Sequence, residues 1–417
     1  MFKVTPLANE YLTIFESPEP ASTFVGSPGI TRLASGRIVV TMDLGNRWAD
    51  WTYTKPKDLS KMGKVFVSDD HGKTFVLRKE YPFFHARPFA AGNSLYVLGH
   101  CRDLIVMRSD DDGETWSDAY PLTEGQKWHQ APSNVHYANG NVYLVMERMA
   151  YTDFKGWGVG SLAPVLMRGS EAADLTRRDN WTFASEIAFR DVIDGGELDY
   201  FGVPFFATPP NGSALVAPKR KAESAGWLET NVVQFVNPDH YWHDPDGRTF
   251  HLWMRANTGG TGYAAIAKVV EQPDGSMVTQ LETVPSGKRV AFVPCPGGQL
   301  KFHILYDEVS RLYWLLSSQA RDSMIRAELM PDDRYGLPNN ERDRLQLHFS
   351  TNCIDWCFAG LVCAGRFAKE SRQYGSMAID GNDLHIVSRS GGEHSVTAHD
   401  AYKLTFHTIR NFRDLAY

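Results

Sequence analysis

Two stretches of the chain, "SDDHGKTF" at 68–75 and "SDDDGETW" at 109–116, are one octapeptide written twice. Both read Ser-x-Asp-x-Gly-x-Thr-aromatic. Each sits between β-type runs: "KVFV" enters the first and "TFVLRKEY" leaves it, while "DLIVM" enters the second and "TWSDAYPL" leaves it. Such a segment is a hairpin turn with its own fastening. The Ser and Asp side chains can hold backbone amides, the Gly permits a positive φ, and the aromatic ring can tuck beneath the turn. The box is thus a structural staple that carries no chemistry itself. A chain that writes it twice builds one strand–turn–strand unit repeatedly. An eroded third copy, "FSTNCIDWCF", keeps Ser350 and Trp356, and "MRGSEAADLTRRDNWTF" (167–183) holds the same place with a longer turn.

The signature runs through all 417 residues. Short glycine turns punctuate it in "LASGRIVV", "AAGNSLYVL", "YANGNVYLVM", "PDGRTFHLWM" and "DGNDLHIVS". With 35 glycines and 12% aromatic residues, and no long helical periodicity, the composition favours many short strands. Six repeats are expected, at about 20–80, 81–125, 126–190, 191–285, 286–365 and 366–417, with 2–18 donating a closing strand to the last. The fold class is therefore all-β: one six-bladed β-propeller in a single domain. The formal net charge of -6 shows no basic footprint for nucleic acid, and no apolar run is long enough to span a membrane. The first twenty residues lack the apolar core of a signal peptide, so a cytoplasmic location is expected unless a leader was removed. The five cysteines show neither a disulfide rhythm nor a metal-ligand spacing, and no cofactor or metal is expected.

A propeller does not fix an activity; residues facing its axis do. In chain order, "GWLETNVVQF" offers Glu229, "RTFHLWMRANTGGTG" offers Arg255, "ERDRLQLHFS" offers Arg342 with Arg344 as its neighbour, and "RQYGSMAIDGNDLHIV" offers Tyr374. With the repeated octapeptide, these positions resemble the sialidase (neuraminidase) superfamily, whose turns carry the Asp-box or BNR repeat. The resemblance covers nearly the whole chain at the level of blades. It implies an exo-glycosidase that removes a terminal sialic acid or related sugar from glycans. In it, Tyr374 is the nucleophile, Glu229 its base, and Arg255 and Arg342 hold the substrate carboxylate. Asp50 in "TMDLGNRWADWTYTKP" is its acid/base, with Asp43 as the alternative. The chain departs from the family in blade one. "VGSPGITRL" has Gly26-Ser27 before Pro28, where the family has Arg-Ile-Pro. One carboxylate-binding arginine is absent there, and Arg87, Arg102 and Arg148 are the candidates to replace it.

The residue types suit that chemistry. A sugar acid with its carboxylate on the anomeric carbon repels a carboxylate nucleophile. A neutral phenol avoids the repulsion but needs a base, since its unperturbed pKa is ~10. Sialidases with a Tyr nucleophile depart from the usual two-carboxylate plan for this reason. Arginine's planar fork matches a carboxylate bidentately.

A second constellation competes. "KWHQAPSN" places His129 and Gln130 at the opening of blade three, and "NPDHYWHDPDGR" places His240, His243 and Asp244 in blade four. Histidine-using propellers include rhamnosidase-like enzymes and polysaccharide lyases, so His129 and His243 carry the alternative: action on rhamnose or a uronic acid. A third reading is a non-catalytic carbohydrate-binding propeller, with Trp48, Trp51, Trp128, Trp157, Trp227 or Trp242 stacking on sugar rings.

Overall fold

The computed structural model describes residues 4–46, 62–155, 157–193, 212–332, 334 and 341–417. Six antiparallel sheets of four or five strands follow one another along the chain. Blade one holds Thr23–Val25 and Gly29–Arg32, both paired with Ile38–Asn46, then Gly63–Ser68 and Val76–Tyr81. Blade two runs Phe84–Ala91, Ser94–Cys101, Asp103–Ser109 and Tyr120–Pro121. Blade three opens with Trp128–His129 and His136–Ala138, followed by Asn141–Met149, Leu162–Ser170 and Trp181–Phe183. Blade four is Gly226–Val233, Thr249–Asn257, Tyr263–Glu271 and Met277–Gln280. Blade five is His303–Asp307, Leu312–Ser318, Arg344–Ser350 and Cys357–Ala364. Blade six takes Arg372–Asp380, Asp383–Ser390 and Lys403–Ile409, and its outer strand is Leu12–Glu16 from the other end of the chain, paired antiparallel with Lys403–Ile409. The ring is closed by that pairing, which leaves no blade without its fourth strand.

The hydrophobic core is also a ring. Trp128 and Trp181 pack on Phe89 and Tyr96 between blades two and three, and Trp227 and Phe250 meet Tyr143 between blades three and four. Trp253 and Phe235 lie against Tyr313 between four and five, and Trp314 lies against Met377 and Phe412 between five and six. Phe66 meets Phe406 between six and one, and Tyr81 and Phe83 meet Leu95 and Val97 between one and two. Every cluster is shared by two neighbouring blades, so no blade buries its faces alone.

The repeated octapeptide forms the turn after the third strand in blades one and two. Ser68 Oγ accepts from the Gly72 amide at 2.9 Å, and Asp70 accepts from the Thr74 amide at 2.9 Å and its hydroxyl at 2.6 Å. Ser109 and Asp111 repeat the pattern with Gly113 and Thr115. In the eroded copy Asn352 stands in for the Asp, its Oδ1 accepting from the amides of Ile354 and Asp355. These turns lie at the ends of third strands. First strands begin, and second strands end, at the opposite face of the ring. The described residues contain no helix long and apolar enough to cross a membrane, and all five cysteines are free.

Candidate functional site

Three blades use the same device to turn a side chain toward the channel mouth. Near the start of the first strand in blades two, four and six, His85, Glu229 and Tyr374 have φ values of 49°, 59° and 50°. The strand register slips at the same places: between Phe84 and Arg87, between Leu228 and Asn231, and between Gln373 and Ser376. Each is a bulge that leaves one residue unpaired and re-aims it. A left-handed conformation costs a non-glycine residue on the order of 1–3 kcal/mol. Paying that cost at three matching positions marks them as built for something other than stability.

Second strands supply the other half of the site. Near their ends lie Asp43, His100, Glu147, Arg255 and Arg389, from blades one, two, three, four and six. With the bulge residues they surround the mouth of the channel.

The blade four to six side is cationic. Arg255 is buried, and its Nε donates to the Gln299 carbonyl at 3.0 Å. Its Nη1 donates to Glu229 Oε2 at 3.3 Å and to Tyr374 Oη at 3.4 Å. Burial opposes the Arg255 charge, but Glu229 and Tyr374 outweigh it and raise the pKa above its ordinary value. One guanidinium nitrogen thus bridges the carboxylate and the phenol. Two more guanidiniums lie over the Tyr374 ring, Arg342 at 5.7 Å and Arg389 at 5.4 Å from its centre. Arg389 donates to the His399 carbonyl and lies 5.0 Å from the Phe24 ring. Burial, with Arg342 adding to it, pushes the Arg389 pKa down to about 10, against the pull of Tyr374, Asp400 and Asp43. Beneath them the buried Lys301 donates to the Gly375 carbonyl and to Ser376 Oγ, and burial brings its pKa to about 7 against the pull of Glu229.

The blade one to three side holds carboxyls and histidines. Asp43 is fully buried, and its Oδ1 accepts the His85 amide at 2.9 Å. Among the described residues its Oδ2 has no hydrogen-bond partner. Burial raises its pKa to about 7, with the His85 amide and Arg389 acting the other way. A Cβ at Gly26 would lie 2.1 Å from Asp43 Oδ2. Glycine is therefore required where the resembling family has its first arginine, because a carboxyl from the neighbouring strand fills that space. The rings of His85, His100 and His129 pack at 5.3–6.2 Å from one another. His85 and His100 are held neutral, their pKa values pushed far down by burial first and by the neighbouring histidines second. His129 Nδ1 faces Glu147 Oε2 at 3.4 Å, and Glu147 Oε1 accepts from the Thr230 amide at 3.0 Å and hydroxyl at 2.9 Å.

The structure thus brings Tyr374, Glu229, Arg255, Arg342 and His129 to one face. Asp50 lies outside the described residues, as do Trp48 and Trp51. Arg87 does not fill the place of the missing arginine: it is buried in the wall, with Nη2 donating to the Val145 carbonyl at 3.2 Å. Nor does Arg148, which pairs with Glu186 away from Tyr374, and Arg102 sits in the tight turn between two strands of blade two. Gln130 is also structural, its amide donating to that same carbonyl at 2.7 Å. His243 belongs to a different place. It lies in the connection between the first and second strands of blade four, at the end of the ring away from Glu229. There its Nδ1 meets the Phe235 carbonyl at 2.8 Å, and Asp244 fastens the adjoining turn through Thr249. Of the remaining tryptophans, Trp128 and Trp227 are core and Trp242 packs among Phe235 and His251. Trp157, 37% exposed and 5.5 Å from the Arg255 guanidinium, rims the site. Arg389 and Glu147 escaped the sequence reading. Their own strands gave no clear local signal: Arg148 stands beside Glu147, and Asp383 and His385 share the strand of Arg389. Among the described residues no group of three or more His, Cys, Asp or Glu is placed to hold a metal.

This is a six-bladed β-propeller with a polar, arginine-rich mouth. No family model and no curated protein sequence matches the chain. Solved structures share its fold. A protein of unknown function from Dyadobacter fermentans superposes with a TM-score of 0.52 at 13% identity, over 97% of this chain and 100% of that one. Trypanosoma rangeli sialidase, in complex with 2,3-difluorosialic acid as a covalent intermediate, gives 0.51 at 15% identity, over 100% of this chain and 60% of that one. An α-L-arabinanase of Penicillium chrysogenum complexed with arabinobiose gives 0.50 at 10% identity, over 99% and 100%. At such identities the likeness is one of fold.

Proposed function

We propose that this propeller is a glycoside hydrolase that recognises a terminal sugar acid through its arginines and attacks the anomeric carbon with Tyr374. The observation that carries the reading is the Arg255 guanidinium, shared by Glu229 and Tyr374, with Arg342 and Arg389 over the same phenol ring. Three buried cations around one phenol repel one another, and a bound carboxylate relieves that repulsion. An uncharged sugar does not. The arabinanase and the sialidase of the same fold differ on this point by their names alone, and the arginines here favour an acidic substrate. The arrangement differs from the family it resembles: the third arginine comes from blade six and Asp43 occupies the blade-one position. The substrate is therefore a sugar acid whose carboxylate sits toward Arg389, and common sialosides are expected to be poorer substrates than another acid.

In the reaction, Glu229 takes the Tyr374 proton as the phenol oxygen bonds to the anomeric carbon, and Arg255 holds both groups in place. The resemblance gives the leaving group's proton donor as Asp50, with Asp43 as its alternative. Trp157 offers a ring face at the rim for a sugar. A second reading keeps the arginines but makes the enzyme a lyase for uronic acids, favoured by the His129–Glu147 pair as a base. Aryl glycosides of sialic acid, KDN, uronic acids and rhamnose separate these readings. The hydrolase releases the aryl alcohol and a saturated sugar acid, and Tyr374→Phe abolishes release. An unsaturated product supports the lyase. Equal turnover of rhamnose and the acids contradicts the assignment of the arginines.

A further inference from the structure

Blades three and six face each other across a six-fold ring, and here they approach closely. Ser376 Oγ of blade six lies 3.2 Å from the Pro132 carbonyl of blade three and 2.9 Å from the Pro28 carbonyl of blade one. This contact narrows the channel. Tyr374 stands two residues before Ser376, and His129 three residues before Pro132, so both belong to the rim of one constriction on opposite sides.

His129 has the surroundings of a proton-transfer group. Glu147 lies behind it, with no exposed side-chain surface, and one of its oxygens is fixed by the Thr230 amide and hydroxyl. The other oxygen faces His129 Nδ1, which fixes the ring orientation and leaves Nε2 for the mouth. The remaining groups around it are named by the packing. His85 and His100, from the first and second strands of blade two, face its ring, and the buried Arg87 is close enough to Glu147 to feel its charge. His85 and His100 are interlocked, Nδ1 to Nε2 at 3.2 Å, with His100 buried and His85 half-buried. His129 keeps 22% of its side chain exposed. Of the three rings, that of His129 faces the Glu147 carboxylate. Glu147 is also tied to the nucleophile's side, because Thr230 follows Glu229 directly.

We propose that His129, positioned by Glu147, is the proton donor to the leaving group, in place of the loop aspartate that the resemblance supplies. The inference rests on the hydrolase reading above. In the first step the His129 Nε2 proton passes to the glycosidic oxygen as its bond to the anomeric carbon breaks. The Tyr374 oxygen forms the new bond and its proton goes to Glu229. In the second step a water gives a proton to His129 and attacks the same carbon. Tyr374 leaves and regains its proton from Glu229. A nucleophile and an acid on opposite sides of the sugar satisfy the geometry this displacement requires.

The test compares two glycosides of the same sugar acid, one with a dinitrophenol leaving group and one with an alkyl alcohol. A poor leaving group needs the proton and a good one does not. His129→Ala and His129→Gln are each expected to lose roughly 100-fold or more in kcat/KM, which reports the first step, on the alkyl glycoside. On the dinitrophenyl glycoside kcat/KM of both stays within about threefold of the parent by the same logic, while kcat falls because the second step lacks its base. Asp50→Asn is expected to show no such split. Two results overturn the proposal: a split in kcat/KM that appears in Asp50→Asn and not at His129, or a His129 loss in kcat/KM that is equal on both glycosides, as a merely structural role would give. Glu147→Gln, which removes the charge behind the ring, follows His129→Ala in direction on the alkyl glycoside. Failure of the hydrolase reading itself looks different: Tyr374→Phe stays active on the dinitrophenyl glycoside, or the parent cleaves neither.

Discussion

The two sides of the channel mouth are built on opposite electrostatic plans. On the blade four to six side, Arg255, Arg342 and Arg389 are buried close together around Tyr374, and Glu229 is the carboxylate that Arg255 contacts directly. On the blade one to three side burial has won. Asp43 is raised to about 7, and His85 and His100 are held neutral. One side concentrates positive charge where an anion could bind. The other holds one carboxyl, Asp43, able to exchange its proton near neutral pH, beside histidines that stay neutral. The difference divides the labour of a site that binds an acid and breaks a glycosidic bond, and substitutions on the two sides should report it separately.

The largest effect is expected at the nucleophile. Tyr374→Phe removes one oxygen and should lower kcat by about 1,000-fold or more, on the scale of losing a covalent step. The melting temperature should hardly move, since among the described residues the hydrogen bond lost is the one from Arg255. Activity in that variant near the parent's would break the comparison at its centre.

Asp43→Asn tests the proton-exchanging side through stability. The folded pKa of about 7 lies above the ordinary 3.8, so the folded protein binds a proton the unfolded chain releases. Stability contributed by this group is therefore lost as pH rises from about 4 to about 7. The amide keeps the shape without the charge, so the variant should gain stability at pH 8 relative to the parent, by up to about 4 kcal/mol. The gain should vanish near pH 4, as read by chemical denaturation at both pH values. A variant less stable than the parent at pH 8 would show that the Asp43 charge is wanted by Arg389 after all.

Arg389→Ala tests the cationic side. Each charge-assisted bond is worth roughly 1.5–3 kcal/mol, so KM for a sugar acid should rise roughly 10- to 100-fold. For the same sugar with its carboxyl reduced to an alcohol, the parent and the variant should be alike. The smallest effect is expected at the far face. Ser109→Ala removes the acceptor for the Gly113 amide and should cost about 1 kcal/mol of stability without altering KM or kcat.

Much of this was legible in the sequence where local chemistry decides the outcome. The Ser68 and Ser109 turns fasten themselves, so their pattern states their structure. Glu229, Arg255, Arg342 and Tyr374 could be placed in order because each sits at a fixed offset from a turn or a strand end. Arg389 could not be singled out, because its importance arises from the Tyr374 ring and from Asp43 of blade one, far apart in the chain. Glu147 was hidden for a similar reason: its partners, His129 and Thr230, belong to separate strands. His243 misled because a histidine before an Asp-Pro turn looks the same whichever face of the ring the turn occupies. Arg87 misled because strand alternation places it in the channel wall, two residues past the bulge that turns His85 outward.

The account stands on a covalent bond between Tyr374 and the sugar. Incubation with a fluorinated sugar-acid inhibitor, followed by proteolysis and mass spectrometry, reads that bond directly. The predicted result is one label on the peptide carrying Tyr374, absent in Tyr374→Phe and slowed in Arg389→Ala. A label on a carboxylate such as Glu229 or Asp50, or turnover of the natural glycoside without any trapped species, would contradict it.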